Sequence, residues 1–149
     1  MATRYRFLTS AQVKRLYISG IGNAQPTQPG LLDSAVASPI NNKNYGQENL
    51  FQLAAILSEK IVKNHAFQDG NKRTALLAAD MFLKINGYVL QQTPLAPDTN
   101  NDGITEAHVK VATGSWSAIE LASYYESIVT PLVGSPQDVV GYRNGAELY

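Results

Sequence analysis

Nine consecutive positions carry a histidine, a carboxylate, a glycine, a side-chain amide and two cations: His65, Asp69, Gly70, Asn71, Lys72 and Arg73. Histidine titrates near pH ~6.5, so a neutral His65 imidazole is able to take a proton from a hydroxyl at neutral pH. A lone carboxylate beside a polyphosphate is the usual protein contribution to a magnesium site, because this ion takes its remaining ligands from water and phosphate. Asp69 suits that role. Gly70 has no Cβ and lets a ligand approach the backbone, while Asn71 offers an amide. Lys72 and Arg73 stand in the first turn of an expected helix, where exposed N–H groups already favour anions. A chain that breaks the rule of acidic first turns at one place does so for a reason, and a phosphate cradle supplies one. The combination suits phosphoryl chemistry, in which positioning and charge stabilisation do most of the work.

Two helices must hold this run. From Gln47 to Asn64 apolar residues cover most of the helical circumference, as they do again from Asn71 to Asn86, where Gly87 is a natural stop. In the second helix Asp80 and Lys84 form an i,i+4 pair and read as its wet face. Upstream, the pattern predicts short helices from Thr9 to Ser19 and from Leu31 to Ala37, the latter stopped by Pro39. The turn-rich residues Pro39 to Gly46 read as a small β-hairpin flap. Downstream come a short strand from Tyr88 to Gln91, a polar loop from Pro94 to Gly103, and helices from Thr105 to Ala112 and Ser117 to Val129. The expected fold class is mainly α, with one domain over residues 1–130 and an irregular C-terminal tail over 131–149.

Composition narrows the function. The 149 residues carry twelve Lys plus Arg against twelve Asp plus Glu, so no net field exists to hold nucleic acid. Without cysteine there is no disulfide scaffold, zinc finger or thiol nucleophile. No apolar run is long enough for a membrane span, and the first residues lack a signal-peptide core, so a cytoplasmic protein is expected. One decoy is rejected: Asp98, Asn100, Asp102 and Gly103 begin like an EF-hand loop, but Val109 stands where its bidentate glutamate belongs. His108 reads as structural, and Trp116, Tyr124 and Tyr125 as packing residues.

The run His65-Ala66-Phe67-Gln68-Asp69-Gly70-Asn71-Lys72-Arg73-Thr74 resembles the signature of the Fic/Doc superfamily, HxFx(D/E)(G/A)N(G/K)R, and its lysine resembles the Doc branch. The segments Gly30 to Pro39 and Phe82 to Tyr88 are similar to that branch as well. This resemblance implies the helical Fido fold and transfer of part of ATP, with Mg2+, to a protein hydroxyl. By carry-over His65 is the general base, Phe67 a core anchor and Asp69 the metal ligand. Asn71 and the backbone near Gly70 form the anion hole, and Arg73 pairs with phosphate. The flap over 39–46 aligns the protein substrate by strand addition.

The Doc-like lysine favours transfer of the γ-phosphoryl group to Ser, Thr or Tyr. AMP transfer is the alternative, and a catalytically idle nucleotide- or partner-binding module is a second. Adenylyltransferases of the family usually have glycine at the position of Lys72 and a second arginine at that of Leu76, whereas the phage Doc pattern has alanine at that of Gly70 and asparagine at that of Leu77. No inhibitory (S/T)xxxE(G/N) helix motif is present, so an antitoxin-like inhibitor is a possible partner; nucleic acid and membrane are not expected.

Overall fold

The computed structural model describes residues 3–92, 95 and 99–149, with side chains from residue 103 onward in the last segment. Among these residues the chain forms seven helices and two two-stranded antiparallel ladders. In order they are β1 (Arg6–Phe7), α1 (Ser10–Gly20), α2 (Pro29–Asn44), α3 (Leu50–Asn64), α4 (Asn71–Lys84) and β2 (Tyr88–Val89). Then follow α5 (Thr99–Ala112), α6 (Ala118–Ile128), β3 (Thr130–Pro131), α7 (Gln137–Gly145) and β4 (Glu147–Leu148). The mainly α Fido class is as expected. No helix among the described residues is long and apolar enough to cross a membrane.

Helix α3 is the axis of the bundle. Leu53, Ala54, Leu57 and Ile61 are buried, and the helix packs against α2, α4, α5 and α6. Asn49 caps its start through the Gln52 N–H at 3.0 Å. The capping boxes of α1 (Thr9 with Gln12) and α6 (Ser117 with Glu120) fix two more helix starts where hydroxyl residues predict them.

Three expectations fail for a packing reason. No hairpin forms over 39–46, because α2 runs through Pro39 to Asn44. Its buried positions Leu32, Ala35, Val36, Pro39 and Lys43 keep helical spacing, so the proline ring lies on the buried face and packing there offsets the hydrogen bond it removes. The ladders form elsewhere: Tyr88 lies opposite Pro131, and Arg6 opposite Leu148.

The segment beyond residue 130 is not irregular either. Helix α7 buries Val139 and Tyr142, Gln12 Nε2 donates to the Tyr142 carbonyl at 2.8 Å, and β4 pairs with β1. Its glycines and prolines conceal a helix that tertiary contacts hold in place.

Lastly, Asp80 and Lys84 are not a wet face. Asp80 is 1% exposed, and its Oδ2 meets Lys84 Nζ at 2.6 Å. Oδ1 accepts the N–H groups of Leu90 (3.1 Å) and Gln91 (3.0 Å), pinning the chain after β2 to α4. Burial pushes the Asp80 carboxyl up, against the lowering pull of Lys84 and of those two N–H groups. Of the decoy loop, Asp98 lies outside the described residues, and 99–103 open α5 rather than form a loop.

Candidate active site

The C-terminus of α3 and the N-terminus of α4 meet at the motif. His65 ends α3 in a left-handed conformation, φ 51° and ψ 47°, which a residue with a Cβ seldom adopts. That bend turns the chain out of the helix and leaves the imidazole exposed. Gly70 supplies a second left-handed bend, φ 79° and ψ 17°, and starts α4. A Cβ there would lie 2.9 Å from Ile21 Cγ2, so space as well as backbone angle requires glycine.

Between these bends the loop is tied on every side. Ala66 and Phe67 are buried, and the Phe67 ring stacks on Tyr17 with centroids 4.0 Å apart and planes 2° from parallel. The Ala66 carbonyl accepts the Gln28 N–H at 3.0 Å, and Asn64 Nδ2 donates to the Leu31 carbonyl at 3.0 Å. Asn71 Oδ1 accepts the Phe67 N–H at 3.1 Å, while its Nδ2 donates to the Phe67 carbonyl at 2.8 Å. The amide expected to face a ligand therefore clamps the loop, and the buried Asn71 side chain sets its shape.

No side chain caps α4. The first-turn residues Asn71, Lys72 and Arg73 line a cleft of about 420 Å³ together with His65, Gln68, Asp69 and Gly70. The structure thus brings the predicted residues to one surface. Lys63, Val62 and Ala112 complete the lining, and nothing in the motif's spacing points to them. The exposed Asp69 carboxylate accepts the Gly70 N–H through Oδ1 at 2.8 Å. Among the described residues no three His, Cys, Asp or Glu side chains group as a metal cage. A single carboxylate beside an anion cradle fits magnesium that shares its coordination with phosphate and water, and it fits no closed structural site.

Fold and site together define a helical protein whose central helix pair presents a histidine and an uncapped, cation-bearing helix start on one cleft. The chain belongs to the Fic/DOC family, whose sequence model matches residues 5–83. It is also 44% identical over 87 residues to the Toxin Doc of Mycolicibacterium smegmatis, a match covering 56% of this chain. That match spans 62% of the relative's length. The likeness to a protein named Toxin Doc places the chain on the Doc side of the family.

Proposed function

We propose that the protein is a Doc-like transferase that moves the γ-phosphoryl group of ATP to a Ser, Thr or Tyr hydroxyl of a target protein. The observation that carries this reading is the opening of His65 and the uncapped, cation-bearing start of α4 on one cleft. The His65 imidazole takes the proton of the attacking hydroxyl. The first-turn N–H groups, Lys72 and Arg73 hold the phosphate oxygens and balance the charge that builds on them. Asp69 would hold magnesium, which supplies further charge neutralisation when bound.

Two observations favour γ- over α-phosphate transfer. Lys72 adds a cation where adenylyltransferases carry glycine, and Leu76, where they carry a second arginine, is 4% exposed and part of the core. The relative is named a toxin, and on that basis a separate antitoxin-like inhibitor is proposed as a partner. A target segment is not aligned by strand addition at 39–46 in this conformation, because residues 39–44 are helical.

The test incubates the protein and its His65→Ala variant with magnesium and a cell lysate, using ATP labelled at the α or the γ phosphate. Label from γ alone on a lysate protein is expected, with turnover lowered about 10²- to 10⁴-fold in the variant. Label from α would move the enzyme to AMP transfer. Nucleotide binding with no transfer of either label, in any lysate, would leave a binding module.

A further inference from the structure

The Tyr17 hydroxyl reaches the motif from α1, where no sequence pattern links it to the site. It donates to the carbonyl oxygen of Asp69 at 3.1 Å. A trans peptide group points its oxygen and its N–H in opposite directions, so a bond at one end fixes the aim of the other. In the Asp69–Gly70 peptide both ends are engaged, since the Gly70 N–H meets Asp69 Oδ1 at 2.8 Å. Turning this peptide over would carry the N–H to the Tyr17 side and release Oδ1. Gly70 is the residue that makes both orientations accessible, because without a Cβ it adopts positive and negative φ about equally. Backbone freedom at Gly70 thus leaves the orientation open, and something outside the loop must choose it.

Tyr17 is built to choose. Its ring is 5% exposed and lies parallel to Phe67, whose own backbone is clamped by Asn71. Its carbonyl accepts the N–H groups of Ile21 at 2.8 Å and Gly22 at 3.1 Å, so the donor sits on a fixed frame. The ring edge also abuts Gly70: a Cβ placed there would lie 3.5 Å from Tyr17 Cε2.

We propose that Tyr17 is a positioning residue whose hydroxyl sets the Asp69–Gly70 peptide and, through it, the direction in which the Asp69 carboxylate faces the cleft. The inference rests on the reading of Asp69 as the magnesium carboxylate. Its consequence is selective. Anion capture by Lys72, Arg73 and the first-turn N–H groups does not pass through this peptide, whereas the contribution of the divalent ion does.

Tyr17→Phe in the full chain keeps the ring stack and deletes the hydroxyl. Two readouts are taken on both proteins: exchange of the Gly70 amide proton by NMR, and ATP affinity by calorimetry with and without magnesium. In the variant the Gly70 amide exchanges about fivefold to tenfold faster, the change in population one hydrogen bond commands. Affinity for ATP alone stays the same, while the gain on adding magnesium falls about tenfold, as when partners of a metal ligand are removed. A merely structural hydroxyl would lower both affinities together. An unchanged exchange rate, or an unchanged magnesium-dependent gain, overturns the proposal. Should the unaltered protein bind no ATP with or without magnesium, the transferase reading fails, and the exchange rates alone decide whether the hydroxyl sets the peptide.

Discussion

His65 occupies a left-handed backbone position, so alanine there removes the imidazole and adds strain at once. Asparagine tolerates that conformation. His65→Asn should therefore abolish label transfer while thermal unfolding stays within about 2 °C of the parent, the sensitivity expected of a change below ~1 kcal/mol. A variant that unfolds early as well would assign His65 to the fold rather than the chemistry. Arg73 makes the complementary case. It is exposed at the start of α4, and Arg73→Ala removes a cation that offers charge-assisted hydrogen bonds to phosphate. ATP affinity should drop about 10- to 100-fold by calorimetry, with a shallower dependence on salt. At this scale the sequence was informative, because the motif's residues are contiguous and bridge two strongly periodic helices. Tyr17 was illegible: it lies 52 residues from Asp69 and reads as an ordinary apolar position on α1.

The helices with a clean apolar period, α3 and α4, were found within a few residues of their bounds, since burial on most sides leaves a signal that few alternatives share. The sequence pattern ends α2 at Pro39, a rule of local geometry that packing overrides when the ring faces the core. Helix α7 is hidden in the sequence because its buried residues, Val139 and Tyr142, depend on partners far away along the chain, Gln12 and α4. The Asp80–Lys84 pair shows the same limit in reverse. Spacing identified the pair, and only the surrounding elements show that it is buried and joins α4 to the residues after β2. Asp80→Ala strands Lys84, 9% exposed, and leaves two N–H groups without their acceptor. A loss of about 3–5 kcal/mol is expected in urea unfolding. Asp80→Asn combined with Lys84→Met should cost much less, because no unpaired charge remains.

At the scale of the whole molecule, one buried chain of hydrogen bonds ties four helices behind the site. His108 of α5 bonds the Ile104 carbonyl through Nδ1 at 2.8 Å and the Tyr125 hydroxyl of α6 through Nε2 at 2.7 Å. Tyr125 meets Ser58 Oγ of α3 at 2.7 Å, and Ser58 reaches the Ala75 carbonyl of α4 at 3.3 Å. The Ile104 carbonyl only accepts, so Nδ1 carries a proton; with the imidazole neutral, Nε2 takes the tyrosine's, and Ser58 gives its single proton to Tyr125 or to the Ala75 carbonyl. Burial lowers the His108 pKa from 6.5 to about 4, and burial likewise raises that of Tyr125, which stays a donor at any working pH. Because the folded value is depressed, the unfolded chain binds a proton first as pH falls. The stabilisation is therefore complete above pH 6.5 and is lost between there and about 4, a loss of about 3 kcal/mol when complete. Urea unfolding of the parent should weaken by roughly 2–3 kcal/mol more between pH 7.5 and pH 4.5 than that of His108→Gln, since carboxylates contribute equally to both. Equal slopes in the two proteins would mean that the imidazole takes up its proton without leaving the network. The expected difference would instead make the contact between α3 and α4, and with it the cleft, depend on a histidine outside the run from His65 to Arg73.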